Sequence, residues 1–72
     1  MKVDSRKLNQ ARIQRGLLLR ELAERTKLSV GAVVSACSRG RSRLTSVRRL
    51  CEVLDLELAT VLVEEKATPN AT

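Results

Sequence analysis

A mainly α-helical domain, with four short helices followed by a C-terminal β-strand or short helix, is the fold class this sequence predicts. Three observations carry it. Apolar residues recur at helical spacing in four separate windows, residues with capping or helix-ending chemistry stand between those windows, and 72 residues leave room for one domain with a small core.

Asp4 or Ser5 caps a first helix over about residues 5 to 15, with Leu8 and Ala11 on one face, Ile13 off it, and Gly16 as the stop. A second helix runs from about Leu18 to Arg25 and buries Leu19, Leu22, Ala23 and Thr26. It is too short to persist alone in water, so its neighbours must hold it. Lys27 and Leu28 form a brief turn, and Ser29 caps a third helix that reaches about Ser38, with Val33, Ala36 and Cys37 inward. Ser38 to Arg43 combines turn formers with three alternating arginines and reads as an exposed loop. Thr45 or Ser46 then caps a fourth helix in which Val47, Leu50, Cys51 and Leu54 repeat the buried spacing.

At Leu56 the period changes. Leu56, Leu58, Thr60 and Leu62 alternate with Glu57, Ala59, Val61 and Val63, which favours a strand over a competing fifth helix. With no second strand in the chain to pair with it, the strand implies a partner copy, and Leu56, Leu58, Thr60, Val61, Leu62 and Val63 become the expected dimer interface. The chain thus divides into a domain at 1–55, a dimerisation strand at 56–63 and a disordered polar tail at 64–72.

Composition narrows the chemistry. The chain has no Phe, Tyr, Trp or His, which removes aromatic stacking on bases, imidazole acid–base catalysis and histidine-ligated metal. Cys37 and Cys51 lack metal-site spacing and read as small buried residues in a reducing compartment. No apolar run approaches the roughly 18 residues of a membrane span, and no signal-peptide region opens the chain, so a soluble, cytoplasmic protein without membrane contact is expected. The acidic pair Glu64-Glu65 falls in the polar tail, so no enzyme is expected, nor any cofactor. The charge, by contrast, is segregated. Residues 1–49 hold thirteen of the fourteen lysines and arginines against three acids, a net +10, whereas residues 50–72 hold Lys66 against five acids, a net −4. The basic part is built to meet a polyanion.

Two short helices joined by a tight turn, the second starting at a cap and small residues, meet the mechanical requirement for entering a major groove about 12 Å wide. The run Leu17-Leu18-Leu19-Arg20-Glu21-Leu22-Ala23-Glu24-Arg25-Thr26-Lys27-Leu28-Ser29-Val30-Gly31-Ala32-Val33 resembles the helix-turn-helix of the phage-repressor and Cro-like (XRE) family. Ala11-Arg12 with Gly16-Leu17 before it, and Leu44 to Leu54 after it, are similar in placement, so the resemblance covers most of residues 8–56. It implies a lambda-repressor-like domain with Leu22, Ala23, Leu28 and Val33 in the core, double-stranded DNA as partner, a homodimer on a palindromic operator, and repression of transcription. The ending Leu54-Asp55-Leu56-Glu57-Leu58 looks most like HipB-type antitoxins, whose C-terminal strand pairs across the dimer, and that resemblance implies a toxin protein as a further partner. The chain departs from the family in having Leu19 for a frequent Gln, Lys27 for a frequent Gly, Cys37 for a Glu, and its loop glycine displaced to Gly40. A left-handed backbone at Lys27 would cost about 1 kcal/mol.

On this resemblance Ser29, Val30, Gly31, Val34 and Ser35 face the bases. Such side chains touch thymine methyls or donate one hydroxyl, but cannot form the bidentate pairs worth about 1–3 kcal/mol each. Phosphate or base contacts therefore fall to Arg12, Arg15, Arg20, Lys27, Arg39, Arg41 and Arg43, with base hydrogen bonds sought from Arg39, Arg41 or Lys27. The competing role for Arg12 is an ion pair with Glu21 or Glu24. Arg48 and Arg49 sit near the start of the fourth helix, where they oppose its dipole and read either as phosphate contacts or as two solvated side chains. The rival to DNA binding is an interaction module that turns the apolar strand and the Val30–Val34 surface toward another protein.

Overall fold

A computed structural model describes residues 1–63, and the tail expected at 64–72 lies outside the described residues. The chain is mainly helical: α1 Ser5–Gln14, α2 Leu19–Thr26, α3 Val30–Val34 running directly into a π-helical turn Ser35–Arg39, α4 Leu44–Leu54 and α5 Leu58–Val61. α1 packs on the π-turn, α4 and α5, while α2 packs on α3 and α4. Leu8, Leu22, Val33, Val47, Leu50, Leu54 and Val61 are fully enclosed at the centre, with Leu19, Leu28, Leu56, Leu58 and Leu62 packed around them. No described helix is long and apolar enough to cross a membrane.

Local chemistry explains the boundaries. Asp4 caps α1, its Oδ1 accepting from the Lys7 N–H at 3.2 Å. Val3 and Leu8 flank that cap as a buried apolar pair, the arrangement that fixes the angle at which a chain enters a helix. α1 ends before Gly16 at φ 67°. At the start of α2 the Glu21 carboxylate accepts from the Leu18 N–H at 2.8 Å, half of a capping box, since Leu18 has no polar side chain to reciprocate. Lys27 follows α2 at φ 60°, the left-handed position for which glycine is the usual residue. Ser29 caps α3 by accepting from the Ala32 N–H at 3.1 Å. α4, however, starts one residue before the first of its expected caps. Its N-cap is Arg43, with no side-chain cap, and Ser46 lies buried inside the first turn.

The expected dimerisation strand is not formed. Residues 58–61 are helical, and the reason lies in which residues the core takes. Val61 is fully buried and Leu58 and Leu62 pack against the same core, the i, i+3, i+4 set of one helical face. An extended segment would have turned Val61 away from Leu58 and Leu62. Nor is a second copy needed to satisfy the chain here, because the expectation overlooked Met1–Asp4. This segment is extended and lies between the residue 40–42 loop and residues 61–63. Val3 N–H donates to the Gly40 carbonyl at 2.8 Å, Ser42 N–H to Met1 at 3.0 Å, Asp4 N–H to Val61 at 2.7 Å and Val63 N–H to Lys2 at 3.1 Å. Isolated bridges pair Lys2 with Arg41 and Val3 with Leu62. Lys7 Nζ closes the corner by donating to the Thr60 carbonyl at 3.0 Å.

Val61→Ala should lower the unfolding free energy by about 2 kcal/mol through the cavity it leaves. The loss should be the same at high and low protein concentration in urea melts, because Val61 fills its own chain's core; a concentration-dependent loss would return it to an intersubunit role. Gly40→Ala should cost about 1–2 kcal/mol, since Gly40 holds φ 71° and an added Cβ would stand 3.0 Å from the Val3 carbonyl oxygen. Chemical denaturation of the purified variant measures it.

Candidate functional site

The turn after α2, the start of α3 and the loop into α4 meet along one open groove of about 660 Å³, lined by Met1, Lys27, Leu28, Ser29, Ala32, Ser35, Arg41, Ser42, Arg43 and Ser46. Three cations, four serines and a short apolar wall thus face one space. Each is placed by backbone geometry. The left-handed turn at Lys27 is tied by the Leu28 N–H donating to Ala23 at 3.0 Å, and Ser29 is held as the cap of α3. The π-turn sets the arginines. Its Ser35 carbonyl accepts from the N–H groups of both Gly40 and Arg41, so the chain reverses at Gly40 and the loop folds back beside α3. π-turns within helices recur at functional positions, and this one absorbs the displacement of the glycine noted in the sequence.

A second groove adjoins the first through Met1 and Arg41, with Lys2, Val3, Ser5, Arg39 and Gly40 in its lining. Lys2 lies directly opposite Arg41 in the bridge between the segments. Like charges at facing positions destabilise an antiparallel pair unless an anion screens them.

Of the residues expected to meet base edges, Ser29, Val30 and Gly31 are exposed, whereas Val34 and Ser35 are half-buried. Among the expected cations, Lys27, Arg41 and Arg43 line the first groove and Arg39 the second. Arg15, the C-cap of α1, and Arg20 in the first turn of α2 are exposed but line neither. Arg12 is a structural residue. Its Nε and Nη2 donate to Asn9 Oδ1 at 3.0 and 2.7 Å and its Nη1 to the Leu17 carbonyl at 2.7 Å, rather than to Glu21 or Glu24. Arg49 reaches back from α4, its Nη1 donating to the Thr26 carbonyl at 3.4 Å at the C-terminal end of α2, where a cation is favoured. Lys2, Ser42 and Ser46 were missed by the sequence reading. The buried pair Val3 and Leu8 around a capping Asp4 was the signal that the N-terminal segment is fixed to the domain.

The residues 56–63 expected at a dimer interface serve their own domain: Val61 is buried, Leu56, Leu58 and Leu62 are half-buried, and only Thr60 and Val63 are exposed. Both thiols are free and buried. Burial pushes Cys37 and Cys51 above their ordinary range, opposed at Cys37 by the positive charge of Arg12. No described cluster of His, Cys, Asp or Glu could hold a metal ion. No protein-family model matches the chain, and no curated protein matches its sequence.

The raised thiol pKa values give stability a direction with pH. The folded protein keeps the two protons after the unfolded chain begins to lose them, so the stabilisation is complete below the unfolded thiol range and declines as pH climbs through it toward the folded values. Urea midpoints should therefore fall between pH 8 and pH 9.5, and fall less in the Cys37→Ala/Cys51→Ala protein.

Proposed function

We propose that this protein binds double-stranded DNA as a non-enzymatic transcriptional regulator of the cytoplasm, with α2 and α3 forming a lambda-repressor-like (XRE) helix-turn-helix and α3 entering the major groove. One observation carries this reading: Lys27, Arg41 and Arg43 ring the groove beside the start of α3, whose exposed edge is Ser29, Val30 and Gly31. Cations flanking a protruding helix edge supply phosphate contacts on either side of the base pairs that the edge meets. The segregated charge of the sequence, +10 over residues 1–49, supports the same partner.

The edge of α3 is short and largely apolar, so one copy discriminates few base pairs. A homodimer, with two such edges in successive major grooves about 34 Å apart, multiplies that discrimination on a palindromic operator. Repression then follows from occupation of a promoter.

Selection from random duplex DNA, followed by fluorescence anisotropy across a salt series, tests the proposal. Affinity should drop steeply as salt rises, and Arg41→Ala and Arg43→Ala should each reduce the slope of log K against log salt by about 1 with little change in sequence preference. Weak binding that is indifferent to salt would exclude DNA as the partner and favour a protein-interaction module.

A further inference from the structure

The 11-residue helix α4 begins with its dipole unanswered. Its N-cap is Arg43, which contributes no side-chain cap, and no acidic residue stands in its first turn. Val47 N–H is the first to enter the helical ladder, donating to the Arg43 carbonyl at 3.0 Å. The amides of Leu44, Thr45 and Ser46 therefore precede the ladder; of these residues Ser46 lines the groove, where the positive pole of the helix adds to the full charges of Lys27, Arg41 and Arg43. Ser46 supplies an independent observation. It is only 9% exposed and lines that groove, yet among the described residues its Oγ has no hydrogen-bond partner. The other buried hydroxyl, Thr26 Oγ1, is satisfied by the Leu22 carbonyl at 2.7 Å. Buried hydroxyls are seldom left without a partner, because the lost hydration is not returned.

We propose that the groove at the N-terminus of α4 is a binding site for a phosphoryl group. Its oxygens accept hydrogen bonds from the Oγ–H and the unladdered N–H of Ser46, and its charge is met by Lys27, Arg41 and Arg43. Two sources share this chemistry: a backbone phosphate of a duplex and the phosphate of a small phosphorylated molecule. At about 660 Å³ the groove has room for more than one phosphoryl group, and Met1, Leu28 and Ala32 offer an apolar wall to the body of a small ligand. A small phosphorylated molecule seated there competes with DNA for the same cations, and this regulatory consequence alone rests on the DNA-binding proposal above.

Inorganic phosphate titrated into the isotope-labelled full chain, with chloride at matched ionic strength as control, tests the site by amide chemical shifts. The shifts at Leu44 to Val47 should saturate with phosphate and not with chloride. Ser46→Ala should weaken phosphate binding about tenfold or more, the size of one hydrogen bond to a charged group, and Arg43→Ala, a change at an exposed residue that leaves the core alone, should weaken it further. Shifts that fail to saturate, that match chloride, or that are as large around Arg15 and Arg20 overturn the site, as does unaltered phosphate binding in a folded Ser46→Ala protein. A short duplex and a nucleoside monophosphate separate the sources. If duplex binding shifts the same amides and weakens in Ser46→Ala, the backbone phosphate occupies the site; if duplex binds while those amides stay silent, the small molecule does. A chain that takes phosphate at Ser46 but no duplex at low salt keeps this site and loses the DNA-binding proposal.

Discussion

Burial of Val3 between two distant stretches of chain is the constraint on which the arrangement of the groove depends. Its side chain is almost fully enclosed, its N–H donates to the Gly40 carbonyl, and it bridges to Leu62. The Val3 carbonyl oxygen lies so close to position 40 that a Cβ there would meet it at 3.0 Å, and the backbone at that position is left-handed. Position 40 must therefore be glycine, and the π-turn must end there. Once those two requirements are met, the next residue, Arg41, is fixed by donating its N–H to Ser35. The direction of the loop arginines is thus inherited from a small extended contact, and only secondarily from the helices on either side.

Two sets of cations among the described residues do different physical work. Lys7, Arg12 and Arg49 donate to the backbone carbonyls of Thr60, Leu17 and Thr26, two of these at the ends of α5 and α2, where positive charge meets the negative pole of the helix. Lys2, Lys27, Arg41 and Arg43 have the opposite setting. Lys2 faces Arg41 across a bridge, Lys27 holds a strained left-handed backbone, and Arg43 stands at the positive pole of α4. All four line the two adjoining grooves. The charge crowding of Lys2 with Arg41, and of Arg43 with the start of α4, is unfavourable in the free protein and is relieved by an anion in that place; the backbone strain at Lys27 is a separate, steric cost.

The helical periodicity in the sequence was enough to locate the core of α1 to α4, because Leu8, Leu22, Val33, Val47, Leu50 and Leu54 are apolar at positions that admit no other face. The turn at Lys27 and Leu28 was legible as well, from the two-residue gap between one helix and the Ser29 cap of the next, while its left-handed backbone was implied only by the glycine frequent there in the family the sequence resembles. Residues 56–63 were ambiguous for a definite reason. Leu58, Val61 and Leu62 satisfy helical spacing while the same segment alternates, so only packing against Leu54 and Val3 could decide. The long-range pairing of Met1–Asp4 left no periodic trace, since a bridge of one or two residues is shorter than any repeat. The candidate site was half legible: Lys27, Ser29, Arg41 and Arg43 were named from charge and capping, but Ser46 was taken for a cap, because a serine before an apolar run satisfies that pattern whether or not its hydroxyl is used.

The left-handed break at Gly40 assigns the three arginines to different work. Arg39 ends the π-turn before that break, whereas Arg41 and Arg43 follow it. Arg41 lies between the two grooves and lines both, with Arg39 in the second groove and Arg43 in the first. In the DNA-binding proposal this makes the loop a continuous cationic edge, and phosphates at different points along one strand could engage it without any change in the loop. Affinity and sequence preference then come from separate places. On that proposal the loop attracts any duplex through charge, while the exposed Val30 and Gly31 on α3 offer bases only contact and shape. A DNA-binding protein divided in this way would owe its strength to charge, and lose it as salt rises, and would owe its selectivity to the pairing of two copies, because neither the loop nor the edge of α3 can supply the other's contribution.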